Sequence, residues 1–296
     1  MIYDCVVIGA GPGGLSAAIY LGRAHKKTLL IYQGYRRTSL AKHIQNYLGF
    51  EDITGPGLIN KGLKQAELYK VETLIATVTT INLNKGFFLI ETSKKNVTAR
   101  NVIVASGIDD ILPEINNVHE FIGETFFTCF DCDGYHMTDK HVCVIGSGDG
   151  SARTALAVKQ TYATKVTLCT GAKANISSKY LSILKNRGIV LVQKKATHLN
   201  GKIGKINSIE LDDGSSIKCD CVLSDLGYAR NDNFLAEIKL KKSKSGYIKV
   251  DKHYESSLPG LFVIGPLNTG PDQVSVAVGE GAQAAMHIIE SGFIFD

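Results

Sequence analysis

The stretch Phe127-Thr128-Cys129-Phe130-Asp131-Cys132-Asp133-Gly134-Tyr135 carries two cysteines three positions apart, with an acid directly after the second. Cysteines at that spacing can close a small disulfide ring, and the charges beside a thiolate set its pKa and exchange rate. The same spacing is also half of a zinc site. No second Cys-x-x-Cys and no His pair supplies the missing ligands, and Cys219-x-Cys221 has the wrong spacing for a zinc knuckle. Redox use is therefore the favoured reading, and no metal site is expected. A dithiol exchanges with its partner through a mixed disulfide, so one of its sulfurs must be reachable.

A second chemistry is written at the amino end. Tyr3-Asp4-Cys5-Val6-Val7-Ile8 has the pattern of a buried strand. It runs into Gly9-Ala10-Gly11-Pro12-Gly13-Gly14, and residues 15–23 then read as a helix rich in Ala and Leu. A pyrophosphate site needs a strand, a glycine turn and a helix start in that order. Gly9 permits the tight turn, Gly11 lets phosphates approach the backbone, and Gly14 lets helix and strand pack closely. With these flanks the motif favours a dinucleotide over a bare turn. The next strand, 28–32, should end in an acid for the ribose hydroxyls. Gln33-Gly34-Tyr35-Arg36-Arg37 stands there instead, so the ribose contact must differ. Arg36 and Arg37 either reach the adenosine end of the cofactor or are solvated loop arginines. A further strand, from residue 101, ends in Ala105-Ser106-Gly107, small residues that let a ligand lie close.

His141-Val142-Cys143-Val144-Ile145 leads into Gly146-Ser147-Gly148-Asp149-Gly150-Ser151 and a helix over 152–160. This repeats the strand–turn–helix unit and makes a second nucleotide-binding-type domain. Its following strand, 165–169, ends in Thr170-Gly171-Ala172-Lys173, with neither acid nor arginine. Hairpins are expected at Asn84-Lys85-Gly86, joining 76–82 to 87–92, and at Asp212-Asp213-Gly214, joining 206–211 to 216–222. Helices are expected over 58–70, 178–187 and 275–291, the last able to aim its amino end at a cofactor. The polar, turn-rich stretch 113–119 suits a domain crossover. The expected fold is α/β: two Rossmann-like (FAD/NAD(P)-binding) three-layer domains, the second inserted in the first.

A chain of 296 residues suggests about two domains, and 44% hydrophobic with 21% charged residues excludes a disordered chain. The net charge of +5 is too mild for nucleic acid without an arginine-rich run. It suits an acidic protein partner weakly. Lys239, Lys241, Lys242 and Lys244 form a basic cluster, most simply a solvated face and otherwise a docking patch for an acidic protein. Seven cysteines, an odd number, point to a reducing compartment with one dedicated pair. Cys5, Cys143 and Cys169 read as small buried hydrophobes, and Cys219 with Cys221 as structural residues sharing a strand face. Met1 leads straight into a strand with no signal-peptide pattern, and no apolar run approaches 18 residues. A soluble, cytoplasmic protein with no membrane partner is expected.

These motifs together resemble the low-molecular-weight thioredoxin reductases, of the class II pyridine nucleotide-disulfide oxidoreductase fold, over essentially the whole chain. The carrying residues are the first glycine motif, Asn46-Tyr47-Leu48-Gly49, Ala105-Ser106-Gly107, Cys129-Phe130-Asp131-Cys132-Asp133-Gly134, the second glycine motif and Pro259-Gly260-Leu261-Phe262. The resemblance implies FAD on residues 1–115 and 246–296, with 116–245 an inserted, disulfide-containing, NADPH-binding-like domain. It implies a homodimer and a thioredoxin-like protein substrate. Cys132 would lie against the flavin ring and take its electrons, Cys129 would attack the partner's disulfide, and Asp133 would be the thiols' acid–base group. Cofactor contacts are expected from Gly9, Gly11, Pro12, Gly13, Gly14, Gln33, Arg36, Arg37, Asn46, Ala105, Ser106, Gly107, Gly265, Pro266, Asp272, Gln273 and Val274.

The departures from that family are as informative. NADPH-using members carry His-Arg-Arg where Thr170, Gly171 and Ala172 stand here. A neutral loop lacks the charge-assisted bonds that a phosphate dianion needs. Two such contacts at about 1.5–3 kcal/mol each are worth two or more decades of affinity. The second glycine motif ends in Ser151 rather than alanine. The family's Gly-Asp is Gly265-Pro266, and its Arg-Gln-Ala is Asp272-Gln273-Val274. FAD is still expected and NADPH is not. The pattern resembles the branch without pyridine nucleotides: ferredoxin-linked flavin thioredoxin reductases, and diflavin-linked disulfide oxidoreductases with a second FAD per protomer. Phe130, Tyr135 and His136 would stack on a flavin or form an ordinary packed cluster. The competing functions are an NADPH-dependent thioredoxin reductase, a flavin dithiol oxidase using oxygen, and a non-catalytic flavoprotein scaffold or redox sensor.

Overall fold

A computed structural model describes residues 1–34 and 37–292. The chain divides into two compact units. The first holds 1–39, 43–109 and 230–296; the second holds 40–42 and 110–229, and so lies between segments of the first. Residues 230–245, grouped with the inserted domain in the sequence reading, pack in the first unit, where Leu235 is 3% exposed in a core shared with Ile248.

The first unit is built on a seven-stranded sheet. Glu72–Ile75, Thr28–Tyr32, Ile2–Ile8 and Val97–Val104 run parallel in that order. Val97–Val104 then forks. Its start pairs with Phe87–Thr92 antiparallel (Leu89 opposite Thr98), and its end pairs with Leu261–Val263 parallel (Phe262 opposite Ile103). Such strands are apolar on both sides because both faces are covered. Val6, Ile8, Leu29 and Ile31 join one core; Cys5, Val7, Leu30 and Ile103 join the other, under the helices Pro12–Arg23, Gly55–Leu68 and Val274–Glu290. Each fully buried aliphatic side chain contributes about 1.5–3 kcal/mol of transfer free energy.

Local chemistry sets the ends of these elements. Pro12 opens its helix, whose interior would be a poor place for it. The same helix closes with His25 in left-handed backbone (φ 57°), while Lys26 N–H bonds Leu21 O and His25 N–H bonds Gly22 O. Thr54 caps the next helix by accepting from Gly57 N–H at 3.1 Å. The hairpin expected at Asn84-Lys85-Gly86 forms between Val78–Asn84 and Phe87–Thr92, with Lys85 and Gly86 both at positive φ, the geometry of a tight turn between twisted strands.

The second unit has a five-stranded, all-parallel sheet in the order Val190–Val192, Lys165–Cys169, His141–Ile145, Cys221–Ser224 and Phe126–Phe127. Helix Asp149–Thr161 follows the central strand, and a three-stranded antiparallel sheet, Ala196–Lys202, Lys205–Leu211 and Ser216–Lys218, accompanies it. The run expected as one strand over 216–222 is two. Ser216–Lys218 pairs back around the Asp212–Gly214 turn, and Cys221–Ser224 joins the parallel sheet. Cys219 and Cys221 therefore do not share a face: Cys219 packs with Cys143 and Val222, Cys221 with Val142 and Val144. The residue between them, Asp220, explains the break. Its carboxylate accepts from His141 N–H at 2.8 Å, turning the chain from one sheet into the other.

Glycine at position 14 is a steric requirement: a Cβ there would overlap the carbonyl oxygen of Gly9 and press on the Ala105 methyl. Gly14→Ala is expected to cost at least about 2 kcal/mol. Denaturant unfolding of wild type and variant checks this, and equal midpoints would contradict it.

Candidate active site

In the second unit, Cys129 and Cys132 form a disulfide, with Cα atoms 5.3 Å apart. The pair is held between two strands. Edge strand Phe126–Phe127 delivers it, helical turns Phe130–Asp133 and Gly134–Met137 follow, and Met137, fully buried, anchors the return to the central strand. Cys129 heads the first turn. Its sulfur accepts from Cys132 N–H at 3.1 Å, and its carbonyl accepts from Asp133 N–H at 3.1 Å. A backbone N–H aimed at a sulfur favours the thiolate once the bond is reduced. Cys132 is exposed; Cys129 and Asp133 are half-buried. Beside them Thr128 donates its hydroxyl to the Asp110 carboxylate at 2.8 Å.

The nearby aromatics divide. Phe130 packs on Tyr162 at 5.6 Å and His136 stacks on Phe127 at 5.8 Å, so both belong to packed clusters, while Tyr135 is 76% exposed. Gly134 is also demanded by packing, because a Cβ there would run into the Tyr162 ring. The other five cysteines are reduced and buried. Burial raises the Cys5 thiol far above its ordinary value and pushes Cys219 and Cys221 up to about 12. Cys143 is held up by its hydrogen bond with Cys169 and by burial. Cys169 is shifted the other way, chiefly by that same bond.

In the first unit, the glycine turn is backbone packed on backbone. Gly9 has φ 112°, and a Cβ on it would overlap Ala105 O. A Cβ on Gly11 would instead meet nothing within 4 Å, leaving room for a ligand against the main chain. The helix behind has Pro12 at its first turn and no acid; Leu15 N–H makes the first bond back to Gly11 O, so Gly13 and Gly14 N–H groups precede the ladder. The last helix crosses close by, because Gly281 and Gly13 lack side chains: a Cβ on Gly281 would overlap Gly13 O. That helix also begins with no acid in its first turn, after Gln273.

The remaining expected cofactor residues fall into three groups. Arg37 forms a salt bridge with Asp272, and Asn46 donates its amide to Gln273 Oε1 at 3.1 Å, which ties the loop after the second strand to the start of the last helix beside Val274. Gln33 accepts from the Thr77 hydroxyl at 2.9 Å. Ser106 donates its hydroxyl to Asn231 O at 2.7 Å, and Gly107 O takes Asn231 N–H at 3.0 Å, so the strand end is closed on that side. Arg36 lies outside the described residues. At Gly265-Pro266 the structure adds what sequence reasoning missed. Glu280, 3% exposed, accepts from Gly265 N–H and from Asn268 Nδ2 at 2.8 Å. It is an acid set between glycines in the middle of a largely apolar helix, a signal visible in Val278-Gly279-Glu280-Gly281-Ala282.

The second glycine turn differs. Asp149 stands in the first turn of its helix and accepts from Ser177 N–H at 2.7 Å; Asn175 N–H bonds Ser147 O at 2.7 Å and bridges to Gly148. Ser151 donates to Asp225 O at 3.2 Å, filling the space in front of Gly146. Thr170 is buried, with its N–H on Val192 O and its hydroxyl turned to main-chain oxygens.

Residues 3–281 match the family model described as pyridine nucleotide-disulphide oxidoreductase. The chain belongs to that family. Thioredoxin reductase of Bacillus subtilis is 28% identical, covering 98% of this chain and 95% of that one. Thioredoxin reductase of Treponema pallidum is 30% identical, covering 96% and 95%. The crystal structure of thioredoxin reductase from Streptococcus pyogenes superposes with a TM-score of 0.92 at 24% identity over 99% of each chain, a likeness of fold. The protein is a thioredoxin-reductase-like flavoprotein disulfide oxidoreductase, from a family that binds FAD. Among the described residues no helix is long and apolar enough to cross a membrane.

Two outcomes follow from this geometry. Serine at Cys129 or Cys132 is expected to lower disulfide reduction at least about 1,000-fold while flavin absorbance stays; unchanged turnover would contradict the assignment. Burial raises the Glu280 carboxyl pKa, with the Gly265 and Asn268 bonds opposing it. The folded protein then binds this proton more tightly than the unfolded chain, so the contribution is complete below about 4.3 and lost as pH rises through the raised folded value. Glu280→Gln should flatten the fall in unfolding free energy across that window. An equally steep fall in the variant would contradict it.

Proposed function

We propose that the protein carries electrons from FAD to the Cys129–Cys132 disulfide and on to a thioredoxin-like protein disulfide, using a donor other than NADPH. The first unit fits FAD. The open space at Gly11 and the bare helix start at Pro12, Gly13 and Gly14 suit a pyrophosphate. In this reading Gly9 makes the turn, Gln33 and Arg37 would contact the adenosine end, and Asn46, Ala105, Ser106, Gly107, Gly265, Pro266, Asp272, Gln273 and Val274 would contact the flavin half. When bound, FAD supplies the two electrons that open the disulfide.

The protein's own sulfurs do the exchange. Cys129, favoured as thiolate by Cys132 N–H, attacks one sulfur of the partner disulfide; that S–S bond breaks and its other sulfur leaves as a thiolate. Cys132 thiolate then attacks Cys129, releasing the partner's second thiolate and re-forming the Cys129–Cys132 bond. The partner gains two electrons, and Asp133, next in the chain, passes the protons.

One observation carries the donor reading: the second glycine turn presents a carboxylate where a pyrophosphate would need a bare helix start. Asp149 sits in that first turn, the 175–177 segment is bonded across it, and Thr170, Gly171 and Ala172 offer no cation for a 2′-phosphate. The same carboxylate disfavours a second FAD there, so a ferredoxin-type donor is preferred over the diflavin arrangement. A cytoplasmic homodimer, as the family resemblance implies, completes the reading.

Anaerobic mixing with NADPH and with NADH is the test, alongside FAD counted per protomer. The expected result is one FAD and flavin bleaching slower by at least about two decades than dithionite gives. Rapid bleaching by NADPH would overturn the donor reading, and two flavins would favour the diflavin arrangement.

A further inference from the structure

Residues 238–250 contain five lysines and no acid: Lys239, Lys241, Lys242, Lys244 and Lys249. In the first unit this segment is a β-hairpin. Lys242 bridges Ile248, Ser243 N–H bonds Tyr247 O at 2.8 Å, and Lys249 N–H bonds Lys241 O at 2.9 Å. Gly246 (φ 83°) makes the turn over the Arg230 guanidinium, which donates to Ser245 O at 3.1 Å. Ile248, 1% exposed, and the partly buried Leu240 and Val250 enter the core, so the hairpin is firmly seated.

Its outward face is the anomaly. All five lysines are exposed, and Lys241 lies opposite Lys249 across the ladder, a like-charge pairing that destabilises a hairpin. Asp232 pairs with Lys242 at 3.3 Å; among the described residues no carboxylate pairs with Lys239, Lys241, Lys244 or Lys249. Four of the five lysines are thus left without a carboxylate partner among the described residues, although Asp232 holds the fifth and the exposed Glu237 and Asp251 flank the segment.

Its position gives the charge a use. Ile248 N–H bonds Leu267 O at 3.0 Å, one residue beyond the Gly265-Pro266 turn. The chain entering the hairpin is bonded to the other cofactor loop, through Asn231 to Ser106 and Gly107. The Ile248 strand of the turn therefore lies beside the loops assigned to the flavin, while Lys241 N–H bonds the Ser257 hydroxyl ahead of strand Leu261–Val263. We propose that this hairpin is the docking surface for an acidic electron-carrier protein. The proposal rests on the donor reading above and names where such a donor binds. Opening one disulfide takes two electrons and two protons, so a one-electron carrier docks twice per turnover and must leave between visits. A rigid, one-sign, salt-sensitive patch suits fast encounter and release.

The test uses the FAD-loaded protein and an oxidised plant-type ferredoxin as an acidic one-electron probe, with binding measured by calorimetry at low and physiological ionic strength. Wild type should bind, and lose about tenfold in affinity as salt rises. The K239E/K241E/K244E/K249E variant should lose about a hundredfold more, and the corresponding four-glutamine variant should fall between. FAD content and dithionite bleaching should be unchanged in both, which reports intact folding. Equal ferredoxin affinity in wild type and variants would overturn the proposal, as would no binding by wild type. Loss of binding to single-stranded RNA or to anionic vesicles, with ferredoxin binding retained, would overturn it in favour of another partner. Bleaching by NADPH would defeat the donor reading alone, since it makes no reference to these lysines.

Discussion

The first unit depends on main chain lying directly on main chain. Gly14 rests on the Gly9 carbonyl, Gly9 on that of Ala105, and Gly281 of the last helix on Gly13. No side chain fits at any of these crossings. Two helix starts are thereby brought to the carboxyl edge of a parallel sheet, and neither carries an acid in its first turn. That edge is where an open α/β sheet receives a ligand, because the strands end there and the helix dipoles converge.

The same turn occurs twice in the chain and is used in opposite ways. The first is electrostatically bare, with room in front of Gly11. The second has its own carboxylate, Asp149, already satisfied by Ser177 N–H, and a serine that fills the space before Gly146. What remains in the second unit is its sheet, which presents the disulfide from an edge strand. The bare glycine turn and the disulfide thus stand on separate units. The Cys132 N–H bond to Cys129 Sγ prepares the sulfur pair within its own turn.

Much of this was legible from residue order. Strand, glycine turn and helix appear twice, and their flanks announced both units. The Asn84-Lys85-Gly86 turn was readable from its Asn and Gly between alternating runs, with Lys85 and Gly86 taking the positive-φ positions. The Cys129–Cys132 disulfide was readable from spacing together with the lack of a second ligand pair in the sequence. Other features depend on long-range packing that spacing does not encode. Cys219 and Cys221 alternate as a strand would, yet Asp220 divides them between two sheets by bonding His141, far back in the sequence. Phe130 and His136 looked available to a ring and are committed to Tyr162 and Phe127. The Arg37–Asp272 and Asn46–Gln273 pairs join segments more than 200 residues apart, and no local pattern reveals them. Glu280 was missed because an acid in a largely apolar helix gives no hint of its partners, Gly265 N–H and Asn268.

The central claim is that flavin and disulfide form one electron path. An anaerobic dithionite titration of the purified protein, followed by flavin absorbance, tests it most directly. A connected path stores the two electrons of the disulfide as well as those of the flavin, so wild type should consume about four electrons per protomer and the Cys129→Ser/Cys132→Ser variant about two. Equal consumption of about two by both proteins would mean that the sulfur pair does not communicate with the flavin, and would contradict the account.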